Sequence, residues 1–264
     1  MSFKGQSILV TGASSGLGKE IATCLARDHG ANLVISARRE DRLQELADEL
    51  AKKFSVTVEV CAADLGLETD VDKLFEFCTQ DRTLYGAILN AGITHFGKWD
   101  ELDFESFRKM QAVNNTCVVK LASALLPYFE ERAVGGGLMF VASQAGVTPV
   151  PYQTFYSATK AFLVHLGAGL HYEMKPRGVS VTTFVPGGID TEMTEGARFN
   201  DLRSFLMPVG PCAREAVNAF RTRKYMHSPG LMYKVGGVLS KLLPGQLVVS
   251  TVAAQYKRSL ESNR

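Results

Sequence analysis

Long apolar runs, basic tracts and paired cysteines are all missing from this sequence of 264 residues. No uninterrupted apolar stretch reaches the roughly 20 residues that cross a bilayer. The opening Met-Ser-Phe-Lys-Gly has no signal-peptide core, so a cytoplasmic protein is expected. Lysine and arginine (29) barely exceed aspartate and glutamate (27), and no basic run tracks a phosphate backbone, which argues against nucleic acid as a partner. The five cysteines, Cys24, Cys61, Cys78, Cys117 and Cys212, form no C-x-x-C pair and no metal-ligand spacing with histidine. They read as buried thiols in a reducing compartment, and no metal is expected. Internal repeats and low-complexity segments are absent too. What remains, 46% apolar and 21% charged, is ordinary for a globular chain long enough to bury a substantial core.

What is present is an alternation. Apolar strand candidates fall at 7–11, 32–37, 56–61, 84–90, 137–142 and 179–185, with helical patterns at 16–29, 39–53, 68–80, 103–131 and 153–175 between them. Six strands joined by crossover helices predict an α/β fold with a doubly wound parallel sheet, covered by helices on both faces. After Pro186 the alternation loosens. The expected organisation is one domain over 1–264, with a substrate lobe at about 188–230 and a helical extension at about 231–260. In such a sheet ligands sit beyond the carboxyl ends of the strands, so functional motifs belong just after them.

They are there. The first strand breaks into Thr11-Gly12-Ala13-Ser14-Ser15-Gly16-Leu17-Gly18 and resumes as a helix. A glycine-rich strand-to-helix turn seats a pyrophosphate on backbone N–H groups, although some such turns only pack a helix onto a sheet. The spacing Gly12-x3-Gly16-x-Gly18 differs from G-x-G-x-x-G. After the second strand comes Ala37-Arg38-Arg39, where an enzyme preferring NAD places an acid for the ribose 2′-hydroxyl. Ala37 removes that acid and Arg38 supplies a planar cation suited to a 2′-phosphate, which points to NADP(H) over NAD(H). Arg39 stands beside it and can equally be a solvated helix start. Asp64, before Leu65 at the third strand's end, can accept from an adenine amino group or cap the next turn. The fourth strand ends in Asn90-Ala91-Gly92, small enough for a flat ring to lie against the backbone, and also a common turn sequence.

The chemistry lies further on. Tyr156 and Lys160 are four apart on a predicted helix and share one face. An ammonium near a phenol favours the phenolate, and a tyrosine so tuned exchanges a proton with a carbonyl or alcohol oxygen. Ser143, at the end of the fifth strand, can bond the same oxygen. Asn114 is a polar residue midway along an apolar helix, open to being surface or a satisfied core amide.

Taken as an ordered set, Thr11-Gly12-x3-Gly16-x-Gly18, Asp64, Asn90-Ala91-Gly92, Asn114, Ser143, Tyr156-x3-Lys160 and Pro186-Gly187-x-Ile189-x-Thr191 resemble the compact short-chain dehydrogenase/reductases, with their Rossmann-type three-layer α/β/α fold. The resemblance runs from residue 5 to about 195. It implies that Tyr156 is the catalytic acid/base, that Ser143 orients the substrate oxygen, and that Lys160 bonds the nicotinamide ribose. It implies also that Asn114 supports a water leading to a proton relay, and that Ile189 and Thr191 bond the carboxamide. A homodimer or larger homo-oligomer through the long helices is implied in the same way. The run Val141-Ala142-Ser143-Gln144-Ala145 departs from the family by lacking a second small hydroxyl residue, which leaves Gln144 either on substrate or in solvent.

The expected reaction is hydride transfer between NADP(H) and a hydrophobic ketone or secondary alcohol. His95, Phe96, Trp99, Gln153, Phe155, Met193, Phe199, Phe205, Leu206 and Met207 are the expected lining, with Arg198 and Arg203 the nearby cations. His95 and His165 lack a readable carboxylate partner and receive no catalytic role. The tail forms two apolar-rich segments around Pro244. It is expected to cover the cleft or a subunit interface rather than to lie on a membrane, although Lys234, Lys241 and Lys257 would suit an interfacial helix. Two rivals remain: a nucleotide-binding regulator without turnover, and a redox-neutral epimerase. Only 104 residues follow Lys160, which is short for the latter's larger substrate domain.

Overall fold

The computed structural model describes residues 1–132, 135–230 and 243–262. Seven parallel strands form one sheet: β1 (Ser7–Thr11), β2 (Asn32–Ala37), β3 (Val58–Ala62), β4 (Leu84–Leu89), β5 (Gly137–Val141), β6 (Ser180–Phe184) and β7 (Met226–His227). Their order, β3-β2-β1-β4-β5-β6-β7, reverses direction between β1 and β4. That reversal is the crevice where ligands bind in doubly wound sheets.

Period-two alternation sends side chains to opposite faces. Ile8 and Val10 of β1, Leu33 and Ile35 of β2, and Met139 and Val141 of β5 enter one core. There they meet α1 (Gly16–His29), α2 (Glu40–Phe54) and α7 (Val209–Arg221) through Ile21, Leu25, Leu43 and Phe220. Leu9, Val34, Leu138 and Phe140 enter the other, against α3 (Glu68–Thr79), α5 (Cys117–Arg132) and α6 (Thr154–Met174). All five cysteines are free and buried, and burial pushes their thiols up; Cys24 reaches about 11.

The six expected strands are present, and β7 is an addition. It has two residues, too short to leave a periodic trace, and joins β6 through Val185 N–H to His227 O at 2.8 Å. The expected substrate lobe therefore divides. Only its first part, with short 3-10 turns at Glu192–Thr194 and Ala197–Phe205, leaves the sheet layers, whereas α7 packs back on α1. The expected helix at 103–131 also divides, into α4 (Phe104–Gln111), a π-turn at Ala112–Thr116, and α5. Of the tail, α8 (Gly245–Ser262) carries the segment after Pro244. Lys234, Lys241 and most of the preceding segment lie outside the described residues. No helix among the described residues is long and apolar enough to cross a membrane.

Candidate active site

The turn after β1 is built by close approach. Gly12 and Gly16 have φ of 68° and 54°, a left-handed conformation that glycine adopts without strain. A Cβ on Gly18 would stand 2.3 Å from Gly12 O, so only a bare Cα lets α1 start this near the strand. Thr11 Oγ1 accepts from the N–H of Asn90 and of Ala91 at 3.0 and 3.1 Å, and Asn90 Nδ2 donates to Thr11 O at 3.0 Å. Asn90 thus braces β4 against β1, and Ala91 and Gly92 carry the open backbone.

Ser14 and Ser15 are engaged by arginine. Arg39 Nη2 donates to Ser14 Oγ at 3.0 Å and to Ser15 Oγ at 2.7 Å. Glu192 then pairs with Arg39 at 3.1 Å and with Arg42 at 2.7 Å, and those two hydrogen bonds hold its carboxyl below the usual range. This clasp joins the glycine turn to the segment after β6. Arg38 is exposed and has no ion-pair partner among the described residues, yet it lines the same cleft. Asp64 Oδ1 accepts from Gly66 N–H at 3.0 Å, the turn-capping role, while Asp64 and Leu65 both face the cleft.

Ser143, Tyr156 and Lys160 meet at the carboxyl end of β5. Lys160 is buried, and its Nζ donates to Val141 O at 2.9 Å and lies 5.8 Å from the Tyr156 ring centre. Desolvation pulls its pKa down to about 8. The expectation that lysine lowers the tyrosine pKa is corrected here. Burial pushes the Tyr156 phenol up, and hydrogen bonding by Ser143 is what pulls it partly back.

Asn114 is fully buried and fully satisfied. Its Oδ1 accepts from Ile93 N–H at 2.9 Å, and its Nδ2 donates to Ile93 O at 2.9 Å and Thr159 Oγ1 at 3.0 Å. It ties the loop after β4 to α6, one residue from Lys160. A Cβ on Gly92 would lie 3.3 Å from Lys160 Nζ and 3.4 Å from Asn114 Oδ1, so both side chains converge on that glycine.

One cleft of about 670 Å3 joins these parts, running from the glycine turn past Gly92, Tyr156 and Ser143 and under Pro186, Gly187, Ile189 and Thr191. Of the expected lining, Gln153, Met193, Phe199, Phe205 and Leu206 reach it. Five do not. Trp99 is 74% exposed, Phe155 packs on Phe107, and Phe96 is buried between Phe199 and Tyr256. Met207 N–H donates to Gly188 O at 2.8 Å and its side chain packs against the core, and His95 Nε2 is buried without a partner among the described residues. Gln144 lines the cleft rather than lying free in solvent, and its Nε2 donates to Val185 O at 3.2 Å and Ser228 Oγ at 2.6 Å. Thr148, Val150 and Leu202 line the cleft without having been foreseen, because their elements meet only through the tertiary fold, whereas Val248, Val252, Gln255 and Tyr256 of α8 line it in keeping with the expectation that the tail covers the cleft. His165 is exposed, and among the described residues no cluster of potential metal ligands occurs.

The family model for short chain dehydrogenase matches residues 6–201. The chain belongs to the short-chain dehydrogenase family. It is 31% identical to the very-long-chain 3-oxoacyl-CoA reductase of Anas platyrhynchos over 196 residues, 72% of this chain and 62% of that protein, so it matches less than two thirds of that relative's length. It is 32% identical to an oxidoreductase of Staphylococcus epidermidis over 199 residues, 75% of this chain and 84% of that one. Among solved structures, a short-chain dehydrogenase from Sphingobium yanoikuyae in complex with NADPH superposes with a TM-score of 0.80 at 30% identity, covering 90% of this chain and 94% of that one. The bulky-bulky ketone specific alcohol dehydrogenase of Comamonas testosteroni gives 0.78 at 29% identity, covering 90% and 91%. Family members bind NADPH or NADH, and the cradle fits such a nucleotide: left-handed glycines, two serine hydroxyls and a guanidinium at one end, a tyrosine–lysine pair at the other.

Proposed function

We propose that the protein is an NADPH-dependent carbonyl reductase that converts a hydrophobic ketone to its secondary alcohol, with Tyr156 as the proton donor. The observation that carries this reading is the meeting of Ser143, Tyr156 and buried Lys160 inside a cleft whose two ends differ. One end holds the glycine turn with Arg38 and Arg39, and the other is uncharged among the described residues. Bound nicotinamide supplies the hydride. The chain's residues do the rest. A phenol whose pKa burial has raised is protonated at neutral pH, the form needed to protonate a carbonyl oxygen that gains charge as hydride arrives. Ser143 holds that oxygen beside the phenol. Lys160, its charge retained below about pH 8, bonds the ribose, and Asn114 positions the lysine's surroundings through Ile93 and Thr159.

NADPH over NADH is favoured by Ala37, which offers no carboxylate to repel a 2′-phosphate, and by Arg38 and Arg39 on the cleft wall. Gly12, Ser14, Ser15, Gly16, Leu17 and Gly18 hold the pyrophosphate. Asp64 and Leu65 flank the adenine. Asn90, Ala91, Gly92, Pro186, Gly187, Ile189 and Thr191 enclose the nicotinamide half. A cytoplasmic homodimer through α5 and α6 suits the exposed Val119 and Phe162 on those helices.

The test is Tyr156→Phe, assayed on apolar ketones at 340 nm. We expect kcat to fall by about a factor of 10²–10⁴ with the NADPH Kd unchanged. A variant that keeps most of its kcat overturns the mechanism. Tight NADPH binding by the wild type without turnover of any ketone favours the regulator instead.

A further inference from the structure

Beyond residue 201 the family match ends, and α8 lies wholly in the unmatched part. Val248, Val252 and Tyr256 recur at every fourth position on it, and with Gln255 they form one face. That face lines the same cleft as Ser143 and Tyr156. Leu247, off this face, is 54% exposed.

The helix is pinned rather than merely laid there. Ser259 is fully buried, and its hydroxyl donates to Arg198 O at 2.7 Å. Arg198 in turn donates to Phe96 O at 2.6 Å and Glu101 at 3.0 Å, which takes it out of the cleft as a cation for substrate. The Phe96 ring sits 5.0 Å from Phe199 and 5.2 Å from Tyr256. The loop after β4, the 3-10 turn at Ala197–Phe205 and α8 therefore lock on one aromatic centre. Away from the nucleotide end and Lys160, the cleft lining holds no charge among the described residues. It comprises aliphatic and aromatic side chains, the hydroxyls of Ser143, Thr94 and Thr148, and the amides of Gln144, Gln153 and Gln255.

We infer that α8 is the specificity wall for the reaction proposed above, with Val248, Val252 and Tyr256 setting the length and bulk of a neutral, elongated apolar ketone. This rests on that reading of the site. An apolar face four residues in period, in one cleft with Met193 and Phe205, rewards each methylene that reaches it. It offers a carboxylate or phosphate nothing. Ketones too short to reach α8 gain nothing from it, so discrimination should grow with chain length.

The experiment uses the full chain with Val252→Trp, Val252→Ala and, as a control on the exposed face, Leu247→Ala. Methyl ketones from butanone to dodecanone are assayed for kcat and KM, and calorimetry reads decanone binding to the protein loaded with NADP+. We expect Val252→Trp to raise KM for decanone by about tenfold and to leave butanone turnover and NADPH affinity unchanged. Val252→Ala should shift preference toward bulkier ketones, and Leu247→Ala should do nothing. A Val252→Trp variant whose profile matches the wild type, or which loses all ketones equally, overturns the assignment. If no ketone is turned over but Val252→Trp still weakens decanone binding, the wall stands and the proposed reaction falls.

Discussion

The cofactor half and the substrate half of this cleft are made in opposite ways. Around the glycine turn, backbone meets backbone at distances that exclude even a methyl group, and the strands behind it are buried on both faces. Around the substrate end, three segments from distant parts of the chain meet through side chains, and the wall they build includes Met193 and Phe205, 44% and 49% exposed. Backbone packing admits one ligand geometry. Side-chain packing can be re-cut without disturbing the sheet, so specificity can change where the chemistry does not.

Substitutions should separate the two halves in order of size. Gly18→Ala puts a methyl group 2.3 Å from Gly12 O and 2.5 Å from Asn90 Nδ2, neither of which has room to move. We expect a loss of about 3 kcal/mol, read as a fall in Tm of roughly 6–12 °C, together with loss of nucleotide binding. A variant with unchanged Tm would mean that the turn is looser than its contacts.

Lys160→Met gives a pH signature. Burial lowers the folded-state pKa to about 8 from an ordinary 10.5, so the cost of holding the buried charge is complete below pH 8. Between 8 and 10.5 the unfolded chain binds more protons than the folded one, and stability rises with pH. The difference in unfolding free energy between wild type and variant should rise across that window, the shared cysteines and tyrosines cancelling. A flat difference in urea titrations would show that Lys160 is not desolvated.

Glu192→Gln tests the clasp across the two halves. Freed from the carboxylate, Arg39 and Arg42 should improve the NADPH Kd by about threefold at low salt, with NADH little changed. Weaker NADPH binding would instead make Glu192 a support for the cradle. The smallest effect belongs to Ser259→Ala. We expect it to cost about 1 kcal/mol and raise KM for long ketones only, leaving NADPH affinity as it was. A raised NADPH Kd would mean that the pin supports the nucleotide half as well.

The same contrast decides what could be read from the residues alone. β1 to β6 were legible within two residues at their ends, because all but the half-buried edge strand β3 are largely buried on both faces and short. That most of the motif residues gather along one cleft was legible from their spacing. What they bond was not. Asn114 turns out to be a committed brace, Gln144 bonds Val185 and Ser228 while lining the cleft, and Arg39 lies on Ser14 and Ser15 while Arg38 stands exposed. Hydrogen-bond partners come from other elements, and local pattern carries no record of them. The apolar cleft lining failed for the same reason: Trp99 and Phe155 look like Phe199 in composition, and only the meeting of three segments distinguishes them. The π-turn at Ala112–Thr116 escaped because the apolar period runs through it unbroken.

That turn carries a consequence about chain length. A π-turn is one residue more than the α-helical register needs, and each residue of a helix turns it by about 100°. Removing a single residue between Ala112 and Thr116 would restore regular helix and take out the bulge that carries Asn114. Asn114 would then lose either Ile93 or Thr159, although every side chain it needs would still be encoded. At this position the count of residues itself holds the loop after β4 to α6, and deletions should be punished where most substitutions in α4 are forgiven.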